Sequence, residues 1–338
     1  MRIRKKQLLA RALHSIGAPS IARSIRRFCG HEIMVLAYHR VQDLLDEDTF
    51  LFDPELVSAS VTDFAWQMSY VSQKYNPITF TRLLDAIDGK SSLPPRPVIV
   101  TFDDGFHDNY RYAFPVLRSI GVPATFFVST GYIGQTHTFW FDWLVYLCKY
   151  AGSVGVPLRI GDQVFPFSAR DNATLIYQAM LAIRALSDSE RKMVIRIFEG
   201  TLSMQYPADG FDESRPMTWE QAREMANAGM EFGSHTVSHP VLTSLGDDEL
   251  QQELSVSKQT LEAQLGLSID VLAYPMGLFD DRVRRQAQEV GYRMGIAYES
   301  GVNRFNTLDR FGIMRLHVER YVDRHEFAMS LALPEIFS

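Results

Sequence analysis

Short apolar segments that alternate with helical patterns are the feature of this sequence that most limits its fold. The alternation recurs from residue 33 to residue 318, a region long enough to form one large sheet. The strand-like segments are IMVLAYH (33–39), NPITF (76–80), PVIVTF (97–102), PATFFV (123–128), MEFGSH (230–235), DVLAYP (270–275), GYRMGIAY (291–298) and GIMRLHV (312–318). Largely apolar strands separated by helices indicate a parallel sheet covered on both faces. Seven or so such units predict an α/β barrel, in which functional residues gather at the carboxyl ends of the strands.

Residues 136–215 interrupt this alternation. The segment HTFWFDWLVYLCKY has the pattern of an aromatic-rich helix, and residues 170–200 have the pattern of two helices with a break near Ser187. Because the strand alternation resumes afterwards, we interpret this region as a helical insertion within one domain at 33–338, rather than as a second domain.

The first 31 residues differ in charge from the rest of the chain. They contain eight basic residues and no acid, whereas the whole chain has a net charge of −6. Apolar residues recur there at helical spacing: Leu9, Leu13 and Ile16, then Ile21, Ile25 and Phe28. A basic amphipathic helix of this kind lies on anionic membrane surfaces. The sequence therefore predicts an N-terminal arm at 1–32 with a peripheral membrane contact through residues 1–31; a helix packed on the domain and a frayed basic tail are the alternatives.

Composition and the absence of targeting signals in the sequence indicate the partners and the cellular location to expect. The overall acidic charge argues against a nucleic-acid partner. No apolar run approaches the roughly 18–20 residues of a transmembrane span, and arginines interrupt the start of the chain too often for a signal peptide. Cys29 and Cys148 form no CxxC pair, which favours inert thiols in a reducing compartment. We expect a cytoplasmic protein, peripheral at the inner membrane if the arm binds lipid.

Two adjacent acids, Asp103 and Asp104, follow the apolar strand 97–102 directly, and a glycine comes next. Neighbouring carboxylates repel each other, so both are costly to bury at a strand end. His235 and His239 are four residues apart, so one helical turn would bring both imidazoles to one face. Two histidines and one carboxylate make a three-ligand catalytic metal site with a position left for water, and the second aspartate can accept that water's proton. The alternative is a polar turn and two surface histidines.

Three motifs, TFDDG (101–105), HTVSH (235–239) and AYPMG (273–277), resemble in this order the polysaccharide deacetylases of the NodB-homology type, carbohydrate esterase family four. The resemblance extends from about Ile33 to the C-terminus and implies the family fold, a distorted (β/α)7 barrel. The stretch TFDDGFHDNY and the tryptophan-bearing insertion are similar to a bacterial branch found with exopolysaccharide and surface-glycan biosynthesis. The implied activity is removal of N-acetyl groups from amino sugars of a glycan or lipid-linked glycan, with Zn²⁺ as the expected metal and Co²⁺, Ni²⁺ or Fe²⁺ as alternatives.

The resemblance also assigns roles to the motif residues. Carried over by position, Asp103 is the general base, and the metal ligands are Asp104, His235 and His239. In this role Asp103 removes the proton of the attacking water.

The third motif departs from the family pattern. The family has Arg-x-Pro-Tyr where this chain has Ala273 to Met276, so the arginine and the tyrosine are both absent. We expect the backbone N–H of Met276 to serve as the oxyanion donor, since a backbone donor survives any substitution except proline. Tyr274, in the same turn, is a further candidate for the oxyanion or substrate site. Arg315 is the candidate substitute for the missing arginine; a surface ion pair is its alternative role.

Further side chains fall at predicted strand mouths or in the insertion. The resemblance makes His317 the acid that protonates the leaving amine, with packing or substrate contact as the alternative. His39 is a candidate site residue. Trp140, with Phe139 and Trp143, is a candidate for stacking on sugar rings, although aromatic residues at helical spacing are commonly core.

Two rival functions stay open at this point. One is another amide hydrolysis on the same site, such as deformylation of a lipid-linked amino sugar or hydrolysis of a small non-sugar amide. The other is a non-catalytic glycan-binding relative, for which the missing motif arginine is the only support.

Overall fold

Seven parallel strands close into a barrel at the centre of the molecule. The computed structural model describes residues 5–26, 32–47, 49–168 and 172–337. The barrel strands are β1 (Glu32–Tyr38), β2 (Pro97–Phe102), β3 (Thr125–Val128), β4 (Glu231–Ser234), β5 (Val271–Ala273), β6 (Met294–Ser300) and β7 (Ile313–His317). Each strand pairs in parallel with the next in chain order, and β7 pairs with β1 to close the ring. The predicted (β/α)7 barrel is confirmed.

The strands are buried on both faces, which is why they are apolar throughout. All six residues of β2 are buried, and β1 pairs with it from Met34–Val98 to Tyr38–Phe102. The predicted strand NPITF was wrong in most of its length. Only Asn76–Pro77 pairs with β2, because the Thr79 side chain caps a helix that begins at Phe80.

Helices cover the outside of the barrel and fill the insertion. In chain order they are α1 (Lys5–Ser15), α2 (Ala18–Arg26), α3 (Val61–Lys74), α4 (Phe80–Ile87), α5 (Phe114–Ile120), α6 (Trp140–Val154), α7 (Ala173–Arg184), α8 (Asp188–Thr201), α9 (Trp219–Asn227), α10 (Asp247–Leu265), α11 (Asp281–Val290), α12 (Arg324–Ala332) and α13 (Pro334–Phe337). A π-helical turn at Asn109–Ala113 precedes α5, and Gly121 ends that helix in the left-handed conformation.

The region between β3 and β4 has a hydrophobic core of its own. It contains α6, α7 and α8, and Ser187 is the N-cap of α8. It also contains an antiparallel hairpin, Leu158–Ile160 with Gln163–Phe165, which the sequence analysis missed. Phe139 and Trp143 are buried in this core, so neither stacks on a sugar. Cys148 is buried there as well, and burial raises the pKa of its thiol; Cys29 lies outside the described residues.

The described part of the basic N-terminal segment packs on the C-terminal helices. Ala10 of α1 lies in a small core with Met329 of α12 and Phe337 of α13. Arg11 pairs with Asp323 at 2.9 Å, and Arg26 pairs with acids near both chain ends. Residues 5–26 are therefore helices packed on the domain rather than a free tail. Across the described residues, none of the helices is both long and apolar enough to span a bilayer.

Candidate active site

The two acids that follow β2 lie in a tight turn. Asp104 has a φ of 72° and Gly105 a φ of 94°, both in the left-handed region. A Cβ on Gly105 would lie 2.9 Å from side-chain atoms of Val128 and of Ile133. Only glycine fits this turn, which explains why it follows the paired acids. The turn gives the two carboxylates different partners.

Asp103 is paired with a buried arginine. Its Oδ1 lies 2.8 Å from Nη1 of Arg315, whose Nε donates to the carbonyl of Ala297 at 3.0 Å. Burial opposes ionisation of Asp103, but the charge and the hydrogen bond of Arg315 outweigh it and hold the pKa of the carboxyl well below its usual range. Nε2 of His39 lies 4.0 Å from the other oxygen of Asp103. Burial lowers the pKa of His39 to about 4, so this imidazole is neutral at pH 7.

Asp104 faces two histidines. Its Oδ1 lies 3.6 Å from Nε2 of His235 and 3.4 Å from Nε2 of His239, and all three residues are buried. The helical turn expected for the histidine pair was wrong: after β4 the chain forms a loop, with Thr236 and His239 at φ of 68° and 54°. The loop still brings the two rings to a centroid separation of 4.8 Å.

A glutamate on α10 holds this histidine loop. Oε2 of Glu253 accepts hydrogen bonds from the backbone N–H groups of Val237 and Ser238, at 2.8 and 3.0 Å. Its Oε1 accepts from the Ser238 hydroxyl at 2.7 Å. Sequence reasoning missed Glu253, because nothing in its acidic helix distinguishes it from the neighbouring glutamates.

The three buried residues fit a divalent cation. Nδ1 of His235 donates to the carbonyl of Ala273 at 2.8 Å, which leaves its Nε2 as a lone-pair ligand, an arrangement typical of metal-binding histidine. Burial lowers the pKa of both His235 and His239 and so favours the neutral rings that bind metal. Burial raises the pKa of Asp104, as do the charges of Asp103 and Asp142. Its Oδ1 is a buried oxygen without a hydrogen-bond partner among the described residues, and a cation would satisfy it.

His317, the last residue of β7, lies at the barrel mouth beside Tyr298 of β6. Nε2 of His317 lies 2.5 Å from the carbonyl oxygen of Tyr298, and the centroids of the imidazole and phenol rings are 3.9 Å apart. Because a carbonyl only accepts, Nε2 carries the hydrogen and Nδ1 keeps its lone pair. Burial and the charge of Arg315 lower the pKa of His317.

The two candidate residues of the AYPMG turn, Tyr274 and Met276, have different surroundings. Tyr274 is buried and its hydroxyl donates to the carbonyl of Phe311 at 3.2 Å, so its side chain belongs to the core and is not a substrate contact. Met276 has a φ of 56° in the turn after β5. Of six non-glycine residues with positive φ in the described part of the chain, four lie in the site loops: Asp104, Thr236, His239 and Met276. Such clustering of unfavourable backbone conformations is common at functional sites.

Trp140 contacts the site through its indole nitrogen. Nε1 donates to the carbonyl oxygen of His239 at 3.0 Å, and the guanidinium of Arg191 lies 4.4 Å from the centroid of the indole ring. The predicted sugar-stacking face of Trp140 is thus partly occupied by Arg191.

The fold and the site together define a class of protein: a seven-stranded barrel with a candidate metal centre and an adjacent carboxylate at the carboxyl ends of its strands. The family model described as "Polysaccharide deacetylase" matches residues 90–295. The chain therefore belongs to the polysaccharide deacetylase family.

Several known proteins are similar to parts of this chain. The protein YxkH of Bacillus subtilis is 23% identical over 204 residues, which cover 60% of this chain and 45% of that protein. The poly-beta-1,6-N-acetyl-D-glucosamine N-deacetylase of Staphylococcus epidermidis is 34% identical over 110 residues, covering 31% of this chain and 38% of that protein. The chain thus spans less than half the length of these two relatives.

A solved structure supports the fold over most of the chain. It is the Streptococcus pyogenes deacetylase PplD in complex with acetate, with a TM-score of 0.59 and 19% sequence identity. The alignment covers 91% of this chain and 99% of that chain. The shared architecture therefore includes the barrel and regions outside it.

Proposed function

We propose that the chain is a metal-dependent hydrolase that removes N-acetyl groups from amino-sugar units of a glycan or a lipid-linked glycan. The observation that carries this proposal is the buried cluster of Asp104, His235 and His239 beside the Asp103–Arg315 pair. Membership of the polysaccharide deacetylase family supports a saccharide substrate. The poly-beta-1,6-N-acetyl-D-glucosamine N-deacetylase of S. epidermidis, which matches part of the chain, favours an N-acetylglucosamine unit.

Asp104, His235 and His239 would hold the metal. Two imidazoles and one carboxylate suit Zn²⁺ in a catalytic site, and Co²⁺, Ni²⁺ and Fe²⁺ accept the same donors. When bound, such an ion polarises the amide carbonyl and makes water a nucleophile near neutral pH.

The remaining side chains would move protons and orient the reaction. Asp103 accepts the proton of the attacking water, and Arg315 keeps this carboxylate ionised and in place. The backbone N–H of Met276 donates to the developing oxyanion. His317 acts as the acid in its doubly protonated form: Nε2–H stays on the Tyr298 carbonyl, and the proton on Nδ1 goes to the departing nitrogen, which leaves the neutral ring. His39, neutral and next to Asp103, contacts the substrate at the barrel mouth.

A panel of acyl substrates tests this function. We expect the Zn²⁺-loaded protein to release acetate from N-acetylglucosamine oligosaccharides, beta-1,6-linked oligomers included, because the site combines an acid, a base and a candidate metal centre. Acetate release is measured by a coupled assay, with chelator-treated protein as the control. Faster hydrolysis of acetamide-sized amides than of every saccharide, or hydrolysis of N-formyl sugars alone, would favour the rival amide hydrolases instead.

We further propose that α1 lies against an anionic membrane. Its buried residues face the C-terminal part of the chain: Ala10 packs with Met329 of α12, and Gln7 donates to the carbonyl of Tyr321 at 2.6 Å. Leu8 and Leu9 of α1 are exposed, at 55% and 48% of their surface, and so is Ile16 directly after the helix, at 71%. Residues 5–26 contain no acid. An apolar strip on a basic helix matches the interface of an anionic bilayer.

Vesicle co-sedimentation tests the α1 contact. We expect the full chain to bind vesicles that contain anionic lipid at low salt, and a Leu9→Ser/Ile16→Ser variant to bind several-fold less, while turnover of a soluble oligosaccharide stays unchanged. The matched control is Met193→Ser/Ile197→Ser on α8, which also replaces two exposed apolar residues with serine. Equal losses in the two variants would rule out a specific role for α1.

A further inference from the structure

Three consecutive residues of the insertion contact the candidate metal site or the residues that support it. Trp140, Phe141 and Asp142 form the first turn of α6, and we call them the α6 clamp. They come from the segment between β3 and β4, yet they contact His239 of the histidine loop and Phe106, two residues beyond Asp104.

Two residues of the α6 clamp hold His239. The Trp140 indole N–H donates to the His239 carbonyl at 3.0 Å. The Phe141 ring lies 5.1 Å from the imidazole, centroid to centroid. Arg191, which is buried and paired with Asp188, lies over the indole ring. The backbone and the ring of His239 are thus both fixed from the insertion.

His239 needs this support more than His235 does. The ring of His235 is oriented by its Nδ1 hydrogen bond to Ala273. In contrast, Nδ1 of His239 is buried and has no hydrogen-bond partner within the described residues. His239 also adopts a left-handed backbone conformation, which is unfavourable for a residue with a side chain. Neighbouring groups must therefore hold both its backbone and its ring in position.

The third clamp residue connects to the Asp104 side of the site. Asp142 is fully buried, accepts a hydrogen bond from Ser214, and lies 3.8 Å from Nη1 of Arg40. Nε of Arg40 donates to Asp108 at 2.8 Å, four residues beyond Asp104. A buried arginine between two carboxylates is costly to separate from either of them. The first turn of α6 thus contacts the histidine loop directly and is connected, through Arg40 and Asp108, to the segment that follows Asp104.

We propose that the insertion is a working part of the metal centre, because the α6 clamp positions His239 and thereby sets the affinity for the divalent ion. Trp140 is a positioning residue in this scheme: it contacts a ligand's backbone and does not bind the ion. The inference rests on the proposed metal site. It predicts that a change in the insertion, outside the barrel and its motifs, alters metal binding.

The experiment compares two tryptophans of α6. Trp140→Phe removes the indole N–H and keeps an aromatic ring under Arg191. The matched control is Trp143→Phe: Trp143 is on the same helix, is buried, and donates its N–H to Glu199 rather than to the site. We expect Trp140→Phe to weaken Zn²⁺ binding by roughly 10–100-fold, the usual effect of losing support around a ligand, and Trp143→Phe to leave it unchanged. Zn²⁺ dissociation constants are measured by competition with a chromophoric chelator.

Two further readouts separate positioning from general destabilisation. The thermal midpoint of each metal-free variant shows whether the fold is intact, and the visible spectrum of the Co²⁺ form, altered for Trp140→Phe alone, reports the ligand geometry. If Trp140→Phe fails to fold, Phe141→Leu provides the same test from the ring side. Wild-type affinity in a folded Trp140→Phe or Phe141→Leu variant, or an equal loss in Trp143→Phe, would overturn the inference. A wild-type protein that binds no divalent metal would overturn the proposed function itself.

Discussion

Asp103→Asn is expected to keep its metal and to lose turnover by roughly 10²–10⁴-fold, the contribution of a positioned general base. Asp104→Asn is expected to fail differently, by losing metal, because a neutral amide is a poorer ligand for a divalent cation than a carboxylate. The two residues are adjacent and equally buried. They differ in their partners: Asp103 faces Arg315, and Asp104 faces the histidine pair.

Metal content and deacetylation rate, measured on both asparagine variants, decide between these roles. His239→Ala serves as the reference for loss of a ligand. An Asp103→Asn protein with near wild-type turnover would remove Asp103 from the mechanism. Undiminished metal content in Asp104→Asn, with loss of metal in Asp103→Asn, would reverse the two assignments.

The sequence was sufficient to predict the barrel because its strands are buried on both faces. Such strands must be apolar along their whole length, so segments like 97–102 stand out from any surrounding pattern. The hairpin at 158–165 was not predicted, because each of its strands has only three residues and both contain exposed positions. Strands that short carry no periodicity that can be recognised.

In the site, too, local sequence patterns predicted some features and not those that depend on contacts between distant segments. The motif residues were identifiable, but the helical turn inferred from the spacing of His235 and His239 was wrong, since left-handed residues in a loop bring the rings together instead. Glu253, Arg40 and Asp142 were not predicted to support the site. Their partners are distant in sequence, and a buried charge cannot be recognised before the fold that buries it is known.

Arg315→Met is the second change for which we expect a large effect. Arg315 is buried on β7, and its guanidinium bonds both Asp103 and the Ala297 carbonyl. Removing one partner of a buried ion pair leaves an uncompensated charge and costs about 3–5 kcal/mol. Asp103 then becomes harder to ionise or loses its position, so turnover should fall by roughly the same factor as in Asp103→Asn. Arg315→Lys should recover only part of the rate, because an ammonium cannot reproduce the planar two-sided contact.

A double-variant cycle shows whether Arg315 acts through Asp103. If it does, Arg315→Met should add almost no further loss to a protein that already carries Asp103→Asn, since residues that act as a unit are not additive. Kinetics of the two single variants and the double variant, at saturating metal, supply the test. Arg284→Met is the control, because Arg284 pairs with Asp309 at the surface, where an ion pair contributes little. Fully multiplicative losses, or an Arg315→Met effect no larger than that of Arg284→Met, would return Arg315 to the role of an ordinary ion-pair residue.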